Sequence, residues 1–168
     1  MSDTTEVLVQ SLRISLTTQN RLLLLKEKNG PLYLPLFVGQ FEAEAIILSL
    51  QDIEISRPQP HDLIRSAIKS LDGRILSVEI TSLKAATLFA MIRLIDADGQ
   101  EKWLDCRPSD AIVIALRSHV PIYVNRELMQ ECGIMPEPDV RARRNQQNQD
   151  QDNDDDDLSA FSDFLANF

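Results

Sequence analysis

The sequence predicts an α+β domain made of two degenerate β-β-β-α units, with an amphipathic helix between them and a polar, acidic tail after them. Three observations point there. Two Xaa-Gly dipeptides, Asn29-Gly30 and Asp98-Gly99, each separate a pair of apolar runs, and they lie 69 residues apart. Two aliphatic stretches of the same pattern follow them at an offset of 66 residues, "EAIILSL" from Glu44 to Leu50 and "DAIVIAL" from Asp110 to Leu116. Between the units, "HDLIRSAIKSLDG" places Leu63, Ile64, Ala67, Ile68 and Leu71 on one helical face. A repeated order of turn and helix signals is the mark of a duplicated unit.

In chain order, "VLVQSLRISL" from Val7 to Leu16 alternates well enough for a strand. "RLLLLKEKNGPLYLPLFV" then reads as a hairpin, with Asn29-Gly30 expected in a tight turn whose central residues take positive φ. "EAIILSL" is apolar nearly all round, so this first helix is expected to be covered on two sides, by the sheet and by another element or subunit. Pro58 and Pro60 in "SRPQPH" stiffen the connection that delivers His61 and Asp62. The amphipathic helix that follows is expected to stop at Gly73. "RILSVEITSL" and the hairpin around Asp98-Gly99 rebuild the three strands, and "DAIVIAL" rebuilds the helix. "PIYV" reads as a short strand, and "NRELMQECG" as a last helix capped by Asn125 and ended by Gly133.

The domain so predicted runs over residues 1–140. Residues 141–157 contain one apolar residue, Ala142, and are expected to be a disordered linker. Residues 158–168, "LSAFSDFLANF", space Leu158, Phe161, Phe164, Leu165 and Phe168 as an amphipathic helix that docks on its own domain or on a protein partner.

The 168 residues carry a net charge of -9. Three Arg and seven Asp after residue 140 account for -4, so the globular part is itself acidic. Proteins that hold nucleic acid by neutralising many phosphates show a basic stripe, and none is visible here. No run of about 18 apolar residues suggests a membrane span, and "MSDTTEVLV" does not resemble a signal peptide. The expectation is a cytoplasmic protein whose two cysteines, Cys106 and Cys132, stay unbridged.

Polar residues gather at three places. In "DCRPSDA", Pro108, Ser109 and Asp110 are what a helix start asks for, since proline loses nothing at the first helical position and an acid complements the positive helix end. Helix initiation does not account for Asp105 and Arg107, which read as an ion pair or an anion hook. In "VGQFEAEA", Glu42 and Glu44 open the first helix. If the two units pack about a pseudo-twofold, these acids and Asp110 would face one cleft, the raw material of a Mg²⁺ or Mn²⁺ site. In "PHDL", Asp62 caps a helix, and His61 is either a bystander or a neutral general base at a helix N-terminus. His119 is most simply a residue that ends its helix. Phosphate loops, dinucleotide fingerprints, H-E-x-x-H, paired C-x-x-C and G-x-S-x-G are all missing.

"YLPLFVGQFEAEAI", "RPQPHDLI" and "DCRPSDAIVIALRSHVPIYV", in that order, resemble the bacterial bifunctional nuclease domain family over roughly Glu6 to Ile134. The family's pattern has Ala at Cys106, Ile-Trp at Leu36-Phe37 and commonly Gly at His119. The resemblance implies a self-associating α+β domain with nuclease activity on DNA and RNA. It singles out Glu42, Glu44, His61, Asp62, Asp105, Arg107, Ser109 and Asp110. The functional expectation is phosphodiester hydrolysis: His61 held by Asp62 as base, Arg107 and Asp105 beside it, Arg57 and Ser109 on the substrate, and Glu42, Glu44 and Asp110 as metal ligands if Mg²⁺ or Mn²⁺ is used. The competing expectation is a non-enzymatic homo-oligomeric binding module, dimeric or larger, whose tail recruits a partner.

Overall fold

A computed structural model describes residues 3–15, 20–53 and 55–135. The linker and Phe-rich segment expected over 141–168 lie outside the described residues. In chain order the elements are β1 (Thr4–Ile14), β2 (Arg21–Glu27), β3 (Tyr33–Val38), α1 (Gln40–Leu50), α2 (Pro60–Ser70), β4 (Arg74–Lys84), β5 (Thr87–Ile95), β6 (Glu101–Cys106), α3 (Pro108–Ser118), β7 (Ile122–Asn125) and α4 (Arg126–Cys132). The fold is α+β, and the two β-β-β-α units are both present, with α2 between them.

The strands form one sheet in the order β3-β2-β1-β7-β4-β5-β6. Each unit is an antiparallel meander, and β7 joins the two in the middle. Since β7 runs antiparallel to β1 and parallel to β4, the first strands of the units run oppositely. This is the relation a pseudo-twofold through β7 requires, and it brings the two unit-ending helices together on one face of the sheet, where α1 packs on α3. The core between that face and the helices holds Leu23, Leu25, Leu34, Val78, Ile80, Ile92, Ile112 and Met129, all 3% exposed or less.

Cover is uneven among the helices. Five consecutive residues of α3, Ala111 to Ala115, are buried, so α3 is enclosed by the sheet on one side and by α1 and α2 on the other. Only Ala43, Ala45 and Ile46 of α1 are buried, while Phe41 is largely exposed and Leu50 about half so. The apolar stripe of α2 is mostly outside the core: Ile68 packs against it, while Leu63 and Leu71 are 66% and 74% exposed. Polar contacts hold α2 to α3 instead, described below.

The turns depart from expectation. Neither Asn29 nor Gly30 takes positive φ, because the hairpin closes through a longer loop in which Glu27 N–H donates to the Leu32 carbonyl at 3.0 Å. In the second hairpin only Gly99 does (φ 76°), inside a loop closed by Asp96 N–H on the Gln100 carbonyl. The true two-residue turn is Ala85-Ala86, with φ 46° and 59°, between the paired residues Lys84 and Thr87. It went unread because neither alanine advertises positive φ. The left-handed residues after α1, α2 and α3 are Asp52, Asp72 and His119; Gly73, expected to stop α2, instead donates its N–H to the Ile68 carbonyl at 2.9 Å. Asn125 caps α4 as expected, its Oδ1 accepting from Glu127 N–H and Leu128 N–H.

A left-handed φ costs an L-residue about 1–2 kcal/mol, and glycine escapes it at an unfolded-state entropy cost of about 0.4–1 kcal/mol. We expect Ala86→Gly and His119→Gly each to raise the midpoint of thermal unfolding by about 2 °C. Calorimetry on the two variants checks this, and an unchanged or lower midpoint at both positions contradicts it.

Candidate active site

Three helices begin close together. Each starts after an extended residue: Gly39 before α1, Gln59 before α2 and Arg107 before α3. Pro60 and Pro108 occupy first helical positions, where a missing N–H is harmless. No side chain caps α1 or α3, so their first-turn N–H groups remain free to meet an anion. Counting from the helix start, Glu42 and Asp110 are both third residues and His61 is a second residue.

Arg107 ties these mouths together. Its Nε donates to Asp110 Oδ2 at 2.8 Å and its Nη2 to Asp110 Oδ1 at 3.1 Å, while Nη1 lies 2.9 Å from Glu42 Oε1. His61 Nε2 lies 3.1 Å from Asp110 Oδ1. An ionised carboxylate only accepts, so in this contact Nε2 carries the proton, which leaves Nδ1 of a neutral ring as an acceptor. That Nδ1 is buried and has no partner. The His61 side chain is 13% exposed, whereas that of Arg107 is 65% exposed. Burial acts to raise the carboxyl pKa of Asp110, but the Arg107 and His61 contacts outweigh it and hold the group below its ordinary value. The Asp110 bond, aided by Glu42, raises the pKa of Arg107, which is therefore a permanent cation.

Gly39 makes room for this arrangement. A Cβ at that position would meet Glu42 Oε2, so a side chain there would require the carboxylate to shift.

Several expected partnerships are replaced. His61 is held by Asp110 and not by Asp62, whose Oδ2 accepts from Gln59 N–H at 3.1 Å and whose Oδ1 lies 3.9 Å from Arg117 Nε. Asp105 does not pair with Arg107. Its neighbour Cys106 turns toward the core, with Sγ 3.7 Å from the Ala90 carbonyl oxygen, so strand alternation sends Asp105 to the opposite face of the sheet. Glu44 is exposed and accepts from Gln40 Nε2 at 3.2 Å. Its place two residues beyond Glu42 turns it away from the helix mouths. The metal set of Glu42, Glu44 and Asp110 is thus not assembled: Arg107 lies between the first and last, and among the described residues no group of three His, Cys, Asp or Glu side chains is arranged to hold a metal ion. Ser109 sits half-buried in the first turn of α3, and Arg57 is exposed ahead of α2 with no bond to the cluster. Burial first, then the charges of Asp110 and Asp105, push the Cys106 thiol pKa up to about 12, which leaves no nucleophilic thiolate near neutral pH.

Arg117 was missed from sequence. Its side chain is 11% exposed, its Nη1 reaches the Ile53 carbonyl at 3.4 Å, and its own carbonyl accepts from Arg65. Its Nε and Nη2 are buried without a hydrogen-bond partner, and it places a guanidinium between the last turn of α3 and the connection that leads into α2. A single basic residue at the end of a buried helix was the available signal.

The fold and the cluster define a duplicated α+β domain that gathers a partly exposed arginine, a shielded histidine and two carboxylates where three helix N-termini meet. The chain belongs to the bifunctional nuclease domain family, whose model matches residues 23–137. It is 39% identical over 130 residues to an uncharacterized protein of Mycobacterium tuberculosis, covering 77% of each chain. It is also similar to Bifunctional nuclease 1 of Oryza sativa subsp. japonica, 29% identical over 126 residues and 73% of this chain, and to Bifunctional nuclease 1 of Arabidopsis thaliana, 27% identical over 115 residues and 67% of this chain. The match spans only 38% and 35% of those two plant proteins. No helix among the described residues is long and apolar enough to cross a membrane.

The depressed Asp110 pKa has a consequence for stability. A carboxylate whose folded pKa lies below its unfolded value stabilises the fold above the unfolded pKa, here about 3.8, and that contribution is lost as pH falls through the lower folded value. Asp110→Asn is expected to cost about 1–2 kcal/mol at pH 7, the scale of a hydrogen bond to a charged group, and progressively less below pH 3.8. Urea unfolding of both proteins at pH 7 and pH 3 measures this; a difference that is constant across that range contradicts it.

Proposed function

We propose that this domain hydrolyses phosphodiester bonds in DNA and RNA at the helix-mouth cluster, in a bacterial cytoplasm. The observation that carries the reading is Arg107, bonded to two helix mouths at once yet 65% exposed. Three of its five N–H groups are engaged, leaving two for a phosphate oxygen. The free first-turn N–H groups of α1 and α3 add positive potential, and Ser109 adds a hydroxyl. The names of the rice and Arabidopsis relatives support the same reaction class.

In this reading Arg107 binds the phosphate and stabilises the charge that builds on it. His61 takes a proton from the attacking water at Nδ1 while Nε2–H stays on Asp110; as the new P–O bond forms, the bond to one sugar oxygen breaks, and that oxygen takes its proton from solvent. Nδ1 is closed to solvent in this arrangement. The reading therefore has the phosphate draw Arg107 off its carboxylates and open the ring to water. The donor set favours histidine chemistry over a resident metal, because Arg107 already occupies Glu42 and Asp110. Mg²⁺ or Mn²⁺ held by those two carboxylates, once Arg107 has turned to the phosphate, is the variant that a chelator separates.

Purified protein should cut plasmid DNA and a structured RNA. His61→Ala and Arg107→Ala, prepared identically and shown to be folded, should each lose about a hundredfold or more in rate. Activity that survives a chelator supports the histidine route, and loss rescued by Mg²⁺ or Mn²⁺ supports the metal variant. Equal cutting by all three proteins assigns the activity elsewhere.

A second reading, a homo-oligomeric binding module, is favoured by the exposed apolar stripe of α2. Leu63 and Leu71 stand one turn either side of Ala67, a symmetric pattern suited to crossing a second copy of the same helix. Leu63→Ser with Leu71→Ser should lower the mass measured by light scattering if the stripe is a subunit contact. A wild-type monomer, or an unchanged oligomer in the double variant, counts against it.

A further inference from the structure

Phe41 is 79% exposed, more than any other large apolar side chain among the described residues. Single exposed apolar residues are ordinary on protein surfaces, so exposure alone assigns it nothing. Its position is what matters. It is the second residue of α1, directly before Glu42, whose carboxylate is 2.9 Å from Arg107. An aromatic ring is therefore carried by the first turn of α1, one residue from the carboxylate that holds Arg107. Ala43, Ala45 and Ile46 are the buried residues of α1, whereas Phe41, one turn ahead of Ala45, has no element of the described chain over it.

The charge of the protein gives this ring a task. A net charge of -9 opposes the multi-phosphate grip that holds a duplex. An acidic surface gains most from an attraction that does not scale with the number of phosphates. Base-on-aromatic stacking is such an attraction, because every base has a π-face and the contact ignores the backbone charge. It also ignores the 2′-hydroxyl, which allows one site to take DNA and RNA. A stacked base must be unpaired, which excludes the interior of a duplex.

We infer that the site takes single-stranded or looped nucleic acid, with one unpaired base stacked on Phe41 and a neighbouring phosphate on Arg107. This rests on the nuclease reading for the identity of the ligand, and on Phe41 for its single-stranded form. Phe41 is here a binding and specificity residue that makes no contact with the reacting atoms.

The test is fluorescence anisotropy of the full-length protein with a labelled phosphorothioate oligonucleotide, which resists cutting, as a single strand and as a blunt-ended two-strand duplex of equal length. Wild type, Phe41→Ala and Phe41→Trp are compared, with light scattering as a check on assembly. Wild type is expected to prefer the single strand. Phe41→Ala should weaken that binding about tenfold and leave the duplex unchanged, and Phe41→Trp should restore it. Equal binding by wild type and Phe41→Ala overturns the inference, as does equal affinity for strand and duplex, or a change of oligomeric state in Phe41→Ala, which would make the ring a subunit contact. Cleavage of unmodified strands by wild type, run in parallel, separates the two claims. Phe41-dependent binding without cutting sinks the nuclease reading alone, and cutting without Phe41 dependence sinks the stacking alone.

Discussion

The arrangement of the helix layer depends on Arg107 being shared. Three helices that begin side by side present three positive ends, each worth about half an elementary charge, and those ends repel. Glu42 and Asp110 offset this from within their own first turns, and Arg107 then bonds both carboxylates. At 65% exposure a guanidinium contributes little net stability through any one ion pair, on the order of 1 kcal/mol or less. Its effect is positional: it sets the distance between the mouths of α1 and α3, and through Asp110 it sets where His61 can sit. Arg117 meets the connection ahead of α2 at the Ile53 carbonyl and lies near Asp62, the residue after His61.

The two units contribute unequally to that knot. Gly39 and Arg107 occupy the same position, the residue before the helix, in the first and second unit. One supplies empty space and the other a guanidinium that extends toward it. Matching "EAI" with "DAI" in the sequence makes Glu44 the counterpart of Asp110, yet Glu42 is the residue that meets Arg107. The reason is that α1 begins two residues further ahead of its Ala-Ile pair than α3 does. Sequence register and position on the helix therefore disagree, and position decides the contact.

This explains which features were readable from the chain. The repeat, the strands, the helices and the helix-start role of Pro108 and Asp110 follow from local patterns, so they were legible. Arg107 stood out because helix initiation had no use for it. The partner of His61 was not legible: Asp110 lies 49 residues away, and only the packing of α2 on α3 brings it near, whereas Asp62 is adjacent in sequence and busy with its own helix start. Asp105 was misplaced for a simpler reason, since alternation from a core-facing Cys106 already sends it to the other face. Ala85 and Ala86 carry no sign of the positive φ that the surrounding strands impose on them.

The charge balance of the cluster bears on how tightly it can hold an anion. Arg107, Glu42 and Asp110 together carry one net negative charge, and three helix ends offset it by roughly one and a half. The site is thus nearly neutral before any ligand arrives. A phosphate that meets the two unengaged N–H groups of Arg107 enters a site with little net charge to draw it, so little long-range attraction is gained. Whatever affinity such a site has must come from contacts indifferent to charge. The exposed ring at the mouth of α1 is the nearest group able to supply one.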